Sequence, residues 1–372
     1  MLLTIVSAYL IFLLVYLFIL SLLQKAWRLI PNTKSTEYCK EDFTLLIPFR
    51  NEFKHFSRLV DNLVGVLPGE AEVIFIDDHS EDGAMDWLKK EIKSMGKENW
   101  KCIPSKGSGK KAALNTGILA SQFDILVTTD ADVLLDIGWP LSLISSFSDP
   151  NLQLVAGPVL PKKKQGVFAQ FQMVEWASIL LVTGASFQWK NPVMCSAANL
   201  AFRKTAFLSV GGYSGNEHLL SGDDEFLLKK IHHHYGKNST KYIIEKNALV
   251  QTLALDDINE WINQRARWAN KWKMHGPGVN VLSALGLVFF SALHLSTFFW
   301  LLVSMKWGAG ILIYWGIKTG MERKVLGRVL KSFNKEMPLS SYIWTSFLHP
   351  AMILLTFPYA LTGKFSWKGR KN

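Results

Sequence analysis

Residues Met1 to Gln24 carry no charged side chain. An apolar run of that length crosses the hydrocarbon core of a bilayer as a helix. A secretory signal would be shorter and would end in a small-residue cleavage site. Neither feature is present, so we read residues 1–24 as a retained transmembrane anchor. Lys25, Arg28 and Lys34 follow it directly. Positive charge beside a span favours the cytoplasmic side. The rest of the chain is therefore expected in the cytoplasm, against the inner, or cell, membrane.

The bulk numbers fit that picture. The chain of 372 residues is 49% hydrophobic and carries a net charge of +11. A basic chain raises nucleic-acid binding, but no basic recognition helix or Gly-aromatic RNA motif supports it. Lys and Arg beside spans and anionic headgroups account for the charge. We expect no nucleic-acid partner. Cys39, Cys102 and Cys195 are odd in number and lack Cys-x-x-Cys spacing. That argues against a disulfide framework and a zinc site.

From Asp42 the pattern changes. Phe43 to Ile47 is an apolar run ended by Pro48, Val73 to Ile76 is a second ended by Asp77 and Asp78, and Asp124 to Thr129 is a third ended by Asp130. Helical stretches over 53–66 and 84–95 lie between them. Continuous apolar strands alternating with helices predict an α/β domain with a mostly parallel sheet covered on both faces. Such sheets bind ligands at the carboxyl ends of their strands. These strands end in acidic residues. Val167 to Phe187 is apolar apart from Glu175. We expect it as a helix at the domain surface or membrane interface, with Lys162 to Lys164 near headgroups.

The remainder returns to apolar sequence. Val279 to Met305 and Trp307 to Ile317 read as a hairpin of two spans. The basic stretch Glu322 to Lys335 is expected in the cytoplasm. Ser340 to Leu361 contains Pro350 and Pro358 and either spans or re-enters. We place an anchor at 1–24, a catalytic domain at 40–275, membrane segments at 278–363 and a basic tail at 364–372.

Five clusters can carry chemistry. Asp130 and Asp132, one residue apart at a strand end, can converge on one divalent cation, and oxygen ligands suit Mg²⁺ or Mn²⁺. A solvated turn is the plainer reading. Asp77 and Asp78 can accept hydrogen bonds from a base and ribose, or simply cap the next helix. Lys110, in Gly109 to Gly117, can reach a phosphate or the acidic pocket, although the spacing is not that of a P-loop. Asp223 and Asp224, within Ser221 to Leu227, can supply a general base, or merely suit a helix N-terminus. Gln264, Arg267 and Trp268 share a helix face, with Trp261 and Trp272 near the same stripe. Arg can grip a phosphate, and Trp offers a flat face to a sugar ring. A basic aromatic helix at a membrane surface competes with that view. Three adjacent histidines, His232 to His234, cannot all face one ion and read as an exposed helix end.

The order of these clusters resembles the inverting, membrane-associated glycosyltransferases of family 2, which have a GT-A fold and a Gln-x-x-Arg-Trp motif. The resemblance runs through Pro48-Phe-Arg-Asn-Glu52, Asp77 to Ser80, Lys110 to Gly117, Asp130 to Asp132, Asp223-Asp224 and Gln264 to Trp268, and covers about residues 43 to 273. Cys195 to Arg203, followed by Gly211-Gly212-Tyr213, is similar to the family's acceptor-side strand and loop. The resemblance implies that Asp78, with Asp77, contacts the donor base and that Lys110 approaches the phosphates. Pro48 and Glu52 belong to the donor side. Asp130 and Asp132 would hold sugar and metal. Asp224 would be the base, with Asp223 as the alternative. Gln264, Arg267 and Trp268 would bind the diphosphate and the acceptor-side sugar. The chain departs from the family in having Gly-Asp-Asp where many relatives have Thr-Glu-Asp.

The implied donor is a nucleotide sugar, a UDP-sugar by family, and the implied acceptor is a lipid or glycan at the membrane. Three C-terminal segments are few for a translocation channel, so we favour single transfer to a lipid-linked acceptor. Processive polysaccharide synthesis is the alternative. A non-catalytic membrane subunit of polysaccharide export is the reading from another class, and intact carboxylates at all four acidic positions argue against it.

Overall fold

The computed structural model describes residues 2–31, 42–215, 222–270, 279–303, 305–362 and two short strands in the tail. Lys34, Cys39, Ser221, Trp272 and the rest of the basic tail lie outside the described residues. In chain order the elements are α1 (Leu2–Leu29), β1 (Phe43–Phe49), α2 (Phe53–Val66), β2 (Glu72–Asp77), α3 (Ala84–Ser94), β3 (Trp100–Pro104), α4 (Lys110–Ala120) and β4 (Ile125–Thr128). Then come β5 (Leu134–Leu135), α5 (Leu141–Ile144), β6 (Leu154–Ala156), β7 (Val159–Pro161), α6 (Val167–Gln188), β8 (Leu200–Arg203), α7 (Lys204–Ser209) and α8 (Asp223–Tyr235). The last are β9 (Thr240–Tyr242), β10 (Val250–Thr252), α9 (Ile258–Ala269), α10 (Val279–Ser296), α11 (Phe299–Val303), α12 (Gly308–Ser332), α13 (Leu339–Thr362), β11 (Ser366–Trp367) and β12 (Arg370–Lys371).

The chain divides into two compact units, one holding Leu29–Lys162 and Val182–Leu253, the other Met1–Arg28, Lys163–Leu181 and Ala254–Asn372. The first is built on a seven-stranded sheet of order β3-β2-β1-β4-β8-β6-β9. β3, β2, β1 and β4 run parallel, and β8 is antiparallel to both β4 and β6. The central strand β1 is buried along its whole length. Leu45, Leu46 and Ile47 expose no surface, and each such side chain contributes about 1.5–3 kcal/mol by leaving water. β3 was not foreseen. It is only partly buried at the sheet edge, so its apolar signal is weak. β1 also continues through Pro48 to Phe49. β4 pairs only as far as Leu46, so Pro48 lies beyond that ladder, where its missing N–H is tolerated.

α4 packs on this sheet through Gly117. A Cβ there would come 2.8 Å from Ile76 Cδ1 and 3.1 Å from Leu46 Cδ2. A smaller sheet of order β5-β10-β7 belongs to the same unit.

The second unit is helical. Among the described residues, three helices are long and apolar enough to cross a membrane: Val6–Leu29, Val167–Gln188 and Leu285–Val303. Two expectations need correction. α6 is not a surface helix, since 61% of its most apolar window is buried. Its polar side chains find partners inside. Gln172 Nε2 donates to the Leu255 carbonyl at 2.7 Å, and Glu175 pairs with Arg265. The stretches 307–317 and 322–335 are also not separate, because α12 runs through both to Ser332. Its buried Lys318 makes this possible. Lys318 Nζ donates to Glu322 Oε1 at 2.7 Å and to Ser346 Oγ on α13 at 2.9 Å. Tyr16 on α1 donates to the same Glu322 oxygen at 2.5 Å. The ion pair is thus satisfied away from water, as a buried charge requires. The segment 340–361 forms one helix, α13, with both prolines inside it.

A Gly117→Val substitution forces α4 away from Ile76 and Leu46. It should cost about 1–3 kcal/mol of stability, read as a lowered thermal unfolding midpoint of the purified protein. An unchanged midpoint would contradict the close approach.

Candidate active site

The site lies where β2 and β4 end and α4 and α8 begin, all within the sheet unit. Both helices start on a glycine with positive φ, Gly109 at 96° and Gly222 at 90°. Only glycine enters those backbone regions without strain. The turn places Lys110 and Asp223 at the first position of their helices.

The β2 end is fixed by its own hydrogen bonds. Asp77 Oδ1 accepts from the Ser80 backbone N–H at 3.0 Å, and Asp78 Oδ1 accepts from the Gly109 N–H at 2.8 Å. Asp78 therefore ties the β2 loop to the turn before Lys110. Asn51 and His79 adopt φ of 53° and 60° nearby. Asn51 N–H donates to Ser80 Oγ at 3.0 Å, and Asn51 Oδ1 accepts from Glu81 N–H at 2.9 Å. Strained backbone braced in this way is typical of sites. Pro48 lies in β1, and Glu52 is buried just before α2, 3.6 Å from His55 Nε2.

Lys110 Nζ donates to Asp130 Oδ1 at 2.7 Å and stands 3.5 Å from Asp223 Oδ2. Burial alone would lower its pKa. The carboxylates of Asp130, Asp223 and Asp224 outweigh that and hold it well above the usual lysine value. Lys110 is therefore an ammonium at any working pH. Burial first, and then the carboxylates of Asp223 and Asp224, push the Tyr213 hydroxyl up. Asp223 is buried, and among the described residues its Oδ2 makes no hydrogen bond besides that ion contact. Asp224 is half-buried. Its Oδ1 accepts from Glu225 N–H at 2.7 Å and its Oδ2 from Ala197 N–H at 3.3 Å. The segment 197–199 is held in turn by β4, because Thr128 and Thr129 donate to the Ala197 and Ala198 carbonyls. Cys195 to Arg203 thus supplies the far wall of the site, ending in β8. Asp132 follows β4 and is half-buried.

The structure therefore gathers Asp77, Asp78, Lys110, Asp130, Asp132, Asp223 and Asp224 on one unit. Gln264, Arg267 and Trp268 belong to the helical unit, on α9, half-buried. Sequence reasoning missed Arg265, between them, which is buried against Glu175. The lone acid in an apolar helix was the signal. His232 to His234 end α8, and His233 and His234 are exposed. Among the described residues no group of three His, Cys, Asp or Glu is placed to hold a metal. Two carboxylates at a strand end still fit Mg²⁺ or Mn²⁺, which commonly takes its other ligands from phosphate and water.

Residues 44–211 match the family model Glycosyl transferase family 2. Over those residues the chain is similar to the glycosyl transferases of family 2. The matched segment holds the parallel strands, Lys110, Asp130 and Asp132. Poly-beta-1,6-N-acetyl-D-glucosamine synthase of Staphylococcus aureus is 26% identical over 234 residues, covering 62% of this chain and 54% of the relative. The synthase of the same name from Staphylococcus epidermidis is 26% identical over 239 residues, 63% of this chain and 56% of the relative. The chain thus spans about half the length of these curated relatives. A mannosyltransferase from Pyrobaculum calidifontis, solved with GDP-Man and Mn²⁺, aligns with a TM-score of 0.59 at 16% identity. That alignment covers 95% of this chain and 96% of the mannosyltransferase. It shows a shared GT-A fold, the fold that the resemblance implied.

Replacing Lys110 with Gln leaves Asp130 and Asp223 facing each other unpaired. After discounting for partial exposure, the loss should be about 1–2 kcal/mol. The double variant Lys110→Gln/Asp223→Asn should recover most of it in thermal unfolding. The raised lysine value means this stability is present below about pH 10 and lost only above it. Unfolding midpoints of wild type minus variant should therefore differ equally at pH 6 and pH 9.

Proposed function

We propose that the chain is an inverting, metal-dependent glycosyltransferase that moves a sugar from a nucleotide-sugar donor to a membrane-borne acceptor. The observation that carries this is the Lys110 ammonium lying between Asp130 and Asp223 at the carboxyl ends of the parallel strands. The proposed donor is a UDP-sugar, in line with the N-acetylglucosamine polymer that names the staphylococcal relatives. Asp77 and Asp78, with Pro48 and Glu52 behind them, would form the base side of the pocket. Lys110 would neutralise phosphate oxygens once drawn from Asp130. A divalent cation, Mg²⁺ or Mn²⁺, held by Asp130 and Asp132 would offset charge on the departing diphosphate.

Asp224 is proposed as the base. It is the more exposed of the two aspartates, and two backbone N–H groups fix its carboxylate. Asp223 is buried and engaged by Lys110. In the reaction Asp224 takes the proton of an acceptor hydroxyl, and that oxygen bonds to the anomeric carbon. The bond from that carbon to the diphosphate oxygen breaks on the opposite face, so configuration inverts. Gln264, Arg267 and Trp268 are proposed to serve the diphosphate and the acceptor sugar. The apolar helices support a placement in the cell membrane, and Lys25 and Arg28 at the end of α1 favour a catalytic domain on the cytoplasmic side.

The acceptor is proposed to be a lipid or a glycan. A second reading, polymer synthesis, is favoured by the relatives' name. Product size separates the two, since single transfer gives one discrete product and polymer synthesis gives a ladder.

Turnover of UDP-N-acetylglucosamine and GDP-mannose by the purified full chain, with Mn²⁺, tests the reading. Asp224→Asn should lower kcat by about 10²–10⁴-fold, and EDTA should abolish turnover until Mn²⁺ is restored. Full activity in Asp224→Asn would remove Asp224 as the base. Absence of turnover with every nucleotide sugar would favour a non-catalytic membrane subunit.

A further inference from the structure

The helical unit contains an ion pair that the reaction as proposed does not use. Arg265 Nε donates to Glu175 Oε1 at 2.6 Å, and Arg265 Nη2 donates to Glu175 Oε2 at 2.6 Å. This is the parallel two-bond geometry of a guanidinium on a carboxylate. Trp261 Nε1 donates to Glu175 Oε2 at 3.2 Å. The guanidinium carbon lies 4.3 Å from the ring centre of Trp268, 5.1 Å from Trp261 and 5.5 Å from Trp176. Trp176 and Trp268 meet edge to face, with centroids 5.4 Å apart. Both charged side chains are more than nine-tenths buried.

Arg265 also reaches the neighbouring stripe of its helix. Its Nη1 donates to Gln264 Oε1. One buried cation therefore touches two of the three side chains assigned to the diphosphate and the sugar, Gln264 and Trp268. It fixes which way the Gln264 amide faces and supplies the surface on which the Trp268 ring lies. Glu175 anchors that cation from α6. Lys cannot replace it, because an ammonium has neither the fork nor the flat face.

We propose that Arg265, held by Glu175, is a positioning residue that sets Gln264 and Trp268 for transfer. The inference rests on the reading that α9 serves the diphosphate and acceptor. A pair with only a structural role would affect how much protein folds and how well it resists heat. A positioning pair also changes the rate of the folded enzyme. Displacement by about 1 Å at a reacting group can cost about a hundredfold in rate.

The test uses the full-length protein and whichever of UDP-N-acetylglucosamine and GDP-mannose is turned over. Arg265→Lys, Glu175→Gln and Glu175→Asp are compared with Arg267→Ala, with kcat and KM expressed per folded enzyme. Arg265→Lys and Glu175→Gln should each lower kcat about tenfold or more, with donor KM changed by less than about threefold. Their double variant should be no slower than the slower single, because both break one unit. Glu175→Asp keeps the charge, and with it the helix pair, but draws the carboxylate back by one methylene. It should fold as wild type and still lose rate, so the inference stays testable if the harsher variants do not fold. Wild-type kcat and KM in Glu175→Asp and Arg265→Lys, beside a strongly impaired Arg267→Ala, would overturn the positioning role alone. Full activity in Arg267→Ala would overturn the assignment of α9 itself.

Discussion

Asp130 and Asp223 come from separate elements, one after a strand and one opening a helix, and both lie within ion-pair reach of one ammonium. Two carboxylates drawn that close repel each other, more strongly as water is excluded. Lys110 offsets the repulsion and lets the β4 end and the α8 start close on the same space. The rest of the site follows from what holds Lys110 there. Gly109 turns the chain into α4, Asp78 holds the Gly109 N–H, and Gly117 lets α4 lie against Ile76 and Leu46. The Lys110 ammonium thus offsets part of the negative charge that Asp130 and Asp223 bring to the unliganded pocket.

The sheet and its acidic ends were legible in sequence because buried parallel strands are continuous apolar runs and ligands collect where those runs stop. Val73 to Ile76 followed by Asp77 shows this plainly. β3 was not legible, since an edge strand with half-buried residues has no such run. The pairing of Lys110 with Asp130 was legible only as a choice between a phosphate and an acidic pocket. Its distance depends on the glycine turn, which sequence marks but does not measure.

The helical unit was read less well for a physical reason. Length and hydropathy describe transfer into an apolar medium, whether lipid or protein interior. α6 qualifies by both measures and is still mostly packed inside. Glu175 carried the missing information. A carboxylate in an apolar helix needs a partner, and that partner is Arg265, next to Gln264 on α9. α12 shows the same effect, since Lys318 has its partners within the bundle and the helix runs on into the basic stretch.

The central claim is that the strand-end carboxylates bind a nucleotide diphosphate through a divalent cation. Calorimetric titration of UDP into the full-length protein, with and without Mn²⁺, tests it most directly when wild type is compared with Asp132→Asn. The account predicts that wild type binds UDP in a Mn²⁺-dependent way and that Asp132→Asn loses that dependence together with most of the affinity. Equal binding with and without metal, unchanged in Asp132→Asn, would contradict it.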